Sequence, residues 1–462
     1  MIYIDDNKKV PLYEQVYNGV KRLIKEETLK KGAKLKAIRN LAEELDVSNN
    51  TVSKAYQLLV DDGYVKAVHG SGYYVRKVIK PKKENSIVVN ENAGQDIIYD
   101  FDYEPMDSRI FPWSKWRHYL MQAISEEEVE RSISYEDKKG SIALREELCE
   151  YVFEKRGIRC EPCQMIICAG KQYAMDIILD ILPDRYNKVL VETPSLKRIR
   201  EQFSYAKLEM CDIPVTKNGI DTAYLDTTDC TLLYTTPSHN FPLGYTADLT
   251  KRVQIVEWAR RNEGYVIEDD FESELFNGEQ VIPAIQSLDK SERVIYMHTF
   301  SRVLSPSLRC TFIVLPKSLL PAYEKRFRYY YTAIPIHNQN ALAAFIRDGH
   351  LAKQIKKTNQ YNYRKYNKMK QLLENKISGE VEIVDVNSCS HLVLRLPSYI
   401  KADKMESYLA ENGINCHIVE DFAENNKGSL MVLGFHAIEE ENMESACEKL
   451  AAHINSYISN CT

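Results

Sequence analysis

The feature that most constrains this chain is an alternation in its middle third. Short apolar runs at 165–168, 188–191, 231–234, 265–267, 294–297 and 312–315 are separated by stretches of helical periodicity, as at 173–182 and 251–261. Runs that stay apolar on consecutive residues are buried on both faces, and strands joined through helices return in the same direction. The pattern predicts a mainly parallel sheet covered by helices. From about residue 319 the text changes to a long Tyr- and Lys-rich helical stretch, then strands at 381–386, 391–396 and 429–433 among further helices. That predicts a smaller α+β subdomain. The basic stretch 326–370 reads as a solvated helix face.

No apolar run approaches the 18 or so residues of a membrane span. The first ten residues, MIYIDDNKKV, lack the basic-then-apolar layout of a signal peptide, which points to the cytoplasm. Eleven cysteines among 462 residues are too sparse for a disulfide framework and read as reduced thiols. The net charge of −5 hides an asymmetry: residues 1–80 hold 15 Lys and Arg against 10 Asp and Glu, leaving the remainder at −10. A basic module ahead of an acidic body suggests contact with a polyanion.

That module has its own pattern. After Pro11, the residues Leu12, Val16, Val20, Leu23 and Ile24 recur at helical spacing. A second helix is expected over about 38–45, broken at Asp46-Val47, and Ser48 is a natural N-cap for a third helix carrying Val52, Ala55, Tyr56 and Leu59. Two short helices about a tight turn make a helix-turn-helix, and 63–66 with 73–75 about Gly70-Ser71-Gly72 make a two-stranded wing. Such a unit sets the start of its second helix against base edges. Here those residues are Ser48, Asn49, Asn50 and Thr51, with Lys54 a turn on. Asn can read adenine, while Lys36 and Arg39 at the preceding helix can grip phosphates. His69 and Gly70 at the wing tip suit a minor-groove contact. The alternative is a generic three-helix interaction module with polar surface residues.

Three segments, PLYEQVYNGVKRLI, IRNLAEELDVSNNTVSKAYQLLVDDGY and GSGYYV, together resemble the winged helix of GntR-type bacterial regulators over residues 11–75. The resemblance implies a double-stranded DNA operator as partner. Two departures, Lys36-Ala37 where the family often has Pro-Ser and Asn49 where it often has Arg, mean that the target sequence does not transfer. A polar, aperiodic linker is expected over 77–100, long enough when extended to reach roughly 80 Å.

Four clusters in the body, YEDKKGSIALREEL (135–148), CAGKQYAMD (168–176), TTPSHNFPLGYT (235–246) with IEDDFESE (267–274), and HTFSRVLSPSLR (298–309), resemble fold-type I aminotransferases, and specifically the MocR subgroup of GntR regulators. The resemblance implies a fold-type I large domain over 101–318, a C-terminal subdomain over 319–462 after the winged helix of 1–76, and a head-to-tail homodimer. It also implies a pyridoxal phosphate (PLP) pocket used mainly for sensing. Gly170, Lys171 and Gln172, at a helix start after a strand, offer backbone N–H groups to a phosphate. Thr299 and Ser301 can add hydroxyls. By the resemblance, Arg309 is the phosphate arginine, Tyr135 reaches across from the partner, Asp269 meets the ring nitrogen, and His239 and Asn240 line the pocket.

The same resemblance puts Arg302 where the imine-forming lysine belongs. A guanidinium stays protonated and has no amine lone pair with which to attack an aldehyde. Phe271 stands where a phenol is expected and Leu196 where a stacking aromatic is expected. The last arginine of the chain is Arg395, so none lies near Ser429, the region of the family's carboxylate-binding arginine. Covalent PLP is therefore not expected; non-covalent PLP or another anionic ligand is the alternative. With Arg302, Lys171 and Arg309 facing Asp269, an anionic ligand is expected; Arg302 paired to Asp269 as a structural ion pair, with no ligand, is the competing account. Cys160 and Cys163 form a C-x-x-C near Cys168, but no second pair or His cluster follows at ligand spacing, so no metal is expected. The combined expectation is a cytoplasmic, homodimeric DNA-binding regulator with no catalytic residues and no membrane partner, sensing a small anion. A working PLP enzyme with an accessory DNA domain, or a ligand-free dimerisation scaffold, are the rival readings.

Overall fold

The structure, a computed structural model, describes residues 2, 10–26, 28–76, 97–125, 136–275, 282–384, 386, 390–419 and 428–461. The chain divides into two compact units, Met1–Glu91 and Asn92–Thr462. Most of the expected linker, residues 77–96, lies outside the described residues.

The first unit holds α1 (Leu12–Lys25), α2 (Ile38–Leu45), α3 (Asn49–Asp61) and the strands β1 (Val65–Val68) and β2 (Gly72–Val75). Asp46 ends α2 in the left-handed region at φ 53°, a conformation that Asp tolerates better than most residues. Ser48 then caps α3, its hydroxyl accepting the Thr51 N–H at 3.1 Å. The helices close over Val16, Val20, Leu41, Val52, Ala55, Tyr56 and Leu59, and the Tyr56 hydroxyl donates to the Lys36 carbonyl at 3.0 Å. The wing pairs antiparallel from Val65↔Val75 to Val68↔Gly72, so its turn is His69-Gly70-Ser71 with Gly70 at φ 69°.

In the second unit, β3 (Tyr99–Asp100) precedes α4 (Trp113–Ala123), α5 (Ile142–Arg156), β4 (Met165–Ala169), α6 (Lys171–Ile181), β5 (Lys188–Thr193), α7 (Lys197–Tyr205), β6 (Glu209–Thr216) and β7 (Gly219–Ile220). There follow β8 (Leu232–Thr235), α8 (Leu249–Arg261), β9 (Tyr265–Asp269), α9 (Ile285–Leu288), β10 (Val294–Thr299) and β11 (Cys310–Val314). These strands form one sheet in the order β4-β11-β10-β9-β8-β5-β6-β7. Strands β10, β9, β8, β5 and β6 run parallel, and β11 is antiparallel to both neighbours. Alternate residues serve opposite faces: Ile166, Ile295, Met297 and Ile313 join one apolar cluster, Met165, Ile167, Tyr296 and Phe312 the other. All six apolar runs named above fall on strands to within one residue; β6, where Ile213 alone is fully buried, has no such run.

Beyond the sheet come α10 (Leu320–Arg326), α11 (Ile336–Arg347), α12 (His350–Glu374), β12 (Glu382–Val384), β13 (Leu392–Arg395), α13 (Ala402–Glu411), β14 (Ile414–Asn415), β15 (His417–Val419), β16 (Leu430–Leu433) and α14 (Met443–Cys461). A second, antiparallel sheet has the order β12-β13-β16-β15. Three expectations need correction. Residues 99–100 are not linker: β3 pairs in parallel with β14, because the polar text around them hides Tyr99 and Phe101, which join the C-terminal core. The boundary at 319 does not divide the packing, since Ala341, Leu342 and Phe345 of α11 belong to the core of the large sheet. Nor is 326–370 solvated throughout. Lys365 is buried, its ammonium donating to the carbonyls of Phe435 (2.9 Å) and Ile438 (2.5 Å), beside buried Gln354, Thr358 and Asn362. Helical periodicity marks apolar faces, and this face is polar.

Among the described residues no helix is long and apolar enough to cross a membrane. The tightest point between the start of the body and its C-terminal sheet is Gly434. Its N–H donates to the Phe101 carbonyl at 2.7 Å, and a Cβ there would run into the backbone of Asp102 and Tyr103. Gly434→Ala is expected to destabilise the body by about 1–3 kcal/mol, read as a lower melting temperature in far-UV circular dichroism.

Candidate functional site

In the N-terminal unit the first turn of α3 is open. Ser48, Asn49, Asn50 and Lys54 are exposed, as are Lys36, Arg39, His69 and Gly70. Several of these groups are already engaged. The hydroxyls of Ser48 and Thr51 stand 2.9 Å apart within the cap, and the Lys54 ammonium lies 3.8 Å from the Tyr13 ring centroid. Lys36 is paired with Glu44, and Arg39 Nε with Glu43 at 3.1 Å. The two cations expected to meet phosphates therefore have intramolecular competitors on the same helix.

In the body, the site forms where the parallel strands end, the usual place for a ligand in an open α/β sheet. Strand β4 runs into Gly170 at φ 96°, and α6 starts with Lys171. A Cβ on Gly170 would collide with the Arg309 guanidinium, which donates to the Ala169 carbonyl at 3.3 Å and Gln172 Oε1 at 3.2 Å. The hydroxyls of Thr299 and Ser301 lie 2.9 Å apart at the end of β10. Thr299 pairs with Thr311 of β11, two residues past Arg309.

At the end of β9, Asp269 is 1% exposed and ion-paired to the Lys171 ammonium, with the Tyr234 hydroxyl donating to the same oxygen. Burial, and then the Asp269 charge, push the Tyr234 phenol well above its ordinary range, so it stays a donor. The Lys171 ammonium lies 5.3 Å from the Phe271 ring centroid and 5.8 Å from that of Tyr234. Lys171 is thus not confined to the phosphate end, because its four-carbon stem carries the charge along the wall to Asp269.

Arg302 is likewise not the partner of Asp269. Its Nε donates to Glu272 at 2.7 Å, and its Nη1 to the carbonyls of Tyr103 (2.6 Å) and Glu104 (3.1 Å). Glu272 is fully buried, at φ 56°, and also meets His239 Nδ1 at 3.0 Å and the Ser390 hydroxyl at 2.6 Å. Burial alone would raise its carboxyl; Arg302 and His239 outweigh burial and hold it well below the ordinary range. His391 stacks on His239 with centroids 5.7 Å apart, and its Nε2 sits 2.8 Å from the Pro242 carbonyl. Burial pushes His391 down to about 4, so it is neutral.

Asn240 donates to Glu192 at 3.0 Å, and Leu196 is buried at the start of α7. Tyr135 lies outside the described residues. Glu272, Tyr234 and Ser390 escape a reading of the sequence. In IEDDFESE, five carboxylates compete, and only the fold assigns partners: Glu268 to Arg252, Asp270 to Arg156, Glu274 to His298, and Asp269 and Glu272 as above. Cys160 turns to Cys149 (3.4 Å between sulfurs) and Cys163 to Glu161; among the described residues no group of three or more His, Cys, Asp or Glu is placed to hold a metal.

A winged unit ahead of a body with this sheet and this site defines the class. Residues 12–75 match the bacterial regulatory proteins of the gntR family, and residues 101–450 match the aminotransferase class I and II family, to which the chain belongs. It is a GntR/MocR-type transcription regulator fused to an aminotransferase-like domain. The HTH-type transcriptional regulator YhdI of Bacillus subtilis is 29% identical over 98% of this chain and 99% of its own. The probable rhizopine catabolism regulatory protein MocR of Rhizobium meliloti is 26% identical over 97% and 95%. The HTH-type pyridoxine biosynthesis transcriptional regulator PdxR of Corynebacterium glutamicum is 25% identical over 96% of each chain. Among solved structures, Pyrococcus horikoshii kynurenine aminotransferase superposes with a TM-score of 0.71 at 23% identity, covering 79% of this chain and 92% of that one, a likeness of fold. The aminotransferase family is PLP-dependent, and the gntR unit is DNA-binding.

Two outcomes follow. Glu272→Gln, which leaves Arg302 buried without a counter-charge, is expected to cost roughly 3 kcal/mol or more, and the double change Glu272→Leu with Arg302→Met to recover most of it; denaturant titration of the three proteins checks this. The unfolded chain protonates His391 near its ordinary 6.5, the folded chain only near 4. The His391 contribution to stability is therefore full above 6.5 and is lost as pH drops through that window, while Glu268, raised to about 7 by burial, acts in the opposite direction. Thermal melts between pH 7 and 4.5 should show His391→Gln losing less stability on acidification than the unmutated protein.

Proposed function

We propose that the body of this regulator is a dimerising sensor of a small anion and has no catalytic role, while the N-terminal unit reads an operator through Ser48, Asn49, Asn50, Thr51 and Lys54. Lys36 and Arg39 would hold phosphates, and His69 and Gly70 would touch the minor groove. The working compartment is then the cytoplasm. The observation that carries the reading is the state of Arg302. At the position the family resemblance gives to the imine-forming lysine there is a guanidinium fixed by Glu272 and two carbonyls. It has no lone pair to offer an aldehyde.

PLP fits this site only in part. Gly170, Arg309, Thr299 and Ser301 suit its phosphate, but Asp269 already carries Lys171 and Tyr234, and no amine stands at 302. No catalytic step through it is therefore derived. What remains is a cradle with a cation, Arg309, whose two hydrogen bonds go to uncharged oxygens. Arg309 is exposed, so water already balances its charge; what supports an anion there is a guanidinium donor set at the start of α6. Ligand binding near the junction of the large sheet and the C-terminal sheet would alter their closure, and so bias how the dimer presents its two winged units to operator half-sites. The residue matched to the family's cross-subunit tyrosine, Tyr135, supports the dimer.

The test has two parts. Purified protein given one equivalent of PLP, reduced with borohydride and peptide-mapped, is expected to carry no adduct on Lys171, the lysine in the site; a stoichiometric adduct there would overturn the reading of a body without covalent PLP chemistry. On an operator selected from random duplexes, Asn50→Ala is expected to weaken binding about tenfold for that site only. Lys36→Ala should weaken all duplexes alike and lower the salt slope by about one. Equal binding by Asn50→Ala and the unmutated protein would remove Asn50 from the reading.

A further inference from the structure

We propose that Lys171 is a built-in substitute for the positive charge of a cofactor ring, and that it makes the site selective for small phosphate monoesters whose body is uncharged and oxygenated. The inference rests on the sensor reading and adds the ligand class.

A carboxylate as buried as Asp269 has to be neutralised, by a ligand or by the chain. The protonated nitrogen of a pyridine ring is one way to do so. Here the Lys171 ammonium takes that place, aided by the Tyr234 hydroxyl, and it stands beside the faces of Phe271 and Tyr234. A flat cationic ring would have to displace it. The displaced ammonium, only 13% exposed where it now sits, would lose a desolvated ion pair. A ligand without a charge of its own meets no such competition, because Asp269 needs nothing from it.

The two ends of the site then describe the rest of the ligand. At the start of α6, the glycine that lets Arg309 approach, the backbone N–H groups and the Thr299 and Ser301 hydroxyls call for a phosphate. A chain of side-chain contacts leads away from it: Lys171 beside Phe271, Phe271 stacked on His239 with centroids 6.4 Å apart, His239 on Glu272, and Glu272 on Arg302. At that far end Arg302 Nη2 and His239 Nε2 are buried with no hydrogen-bond partner. The charge of Arg302 is already met by Glu272, so Nη2 calls for a neutral oxygen, a hydroxyl or a carbonyl, and not for a second anion. A phosphate at one end and uncharged oxygens at the other define a polyol or hydroxycarbonyl phosphate.

The experiment is calorimetric titration of the full chain with two probes. Glycerol 3-phosphate has an uncharged, oxygenated body. Pyridoxine 5′-phosphate keeps the basic ring nitrogen but has no aldehyde, so it cannot form adducts with surface lysines. The unmutated protein should bind glycerol 3-phosphate at least about tenfold more tightly than the ring compound, the scale of one hydrogen-bonded charge pair. Lys171→Ser, and independently Lys171→Met, should reverse the order by freeing Asp269 for the ring nitrogen. A preference of the unmutated protein for pyridoxine 5′-phosphate, or a ratio unchanged in both folded variants, would overturn the proposal. If the unmutated protein binds glycerol 3-phosphate, the ring compound and inorganic phosphate not at all, the sensor reading itself fails and takes the proposal with it. If it binds only inorganic phosphate, the sensor reading survives and the proposed ligand class does not.

Discussion

Charge carried to the end of a buried strand has to be balanced inside the protein, and that requirement organises the body of this regulator. Five carboxylates lie between Glu268 and Glu274 on and just after β9, and each has a different cationic or imidazole partner. The partners come from α5, α6, α8, β10 and the segment after β10, so the charges fix how the helices sit against the sheet. Apolar packing on either face would tolerate some sliding; an ion with a single buried counter-ion does not. Asp270 shows the strength of this arrangement. Burial would raise its carboxyl, but Arg156, His298 and two hydroxyls bring it down to about 2.

Glu272 extends the same rule across the body. By engaging Arg302, His239 and Ser390 together, it ties the large sheet to the segment leading into β13. The junction is thereby held by ions and hydrogen bonds within the chain itself.

The strands of the large sheet were legible because short apolar runs alternate with helical periodicity, and the N-terminal unit because caps and turn glycines are local signals. Strand β6 and the buried middle of α12 were not, since the first buries only Ile213 fully and the second, between Leu351 and Tyr366, is lined by Gln354, Thr358, Asn362 and Lys365. In the site, local contacts follow the motifs: Gly170 lies against Arg309, and Thr299 beside Ser301. Side-chain reach did not. Nothing in the order of residues tells that Lys171 extends to Asp269 or that Arg302 turns to Glu272, because both choices depend on which of several acids is nearest in space.

The pairing of β3 with β14 sets an order of events at the ribosome. Tyr99 finds its partner at Ile414, and Phe101 bonds to Asn415 and Gly434, so the opening strand of the body waits for more than three hundred residues to be made. Contacts so distant in sequence are slow to close. The winged unit depends only on neighbours within residues 2–76 and can fold while the rest is still emerging. Each new molecule therefore passes through an interval in which its winged unit is complete and its aminotransferase-like body is not, and the length of that interval is set by translation.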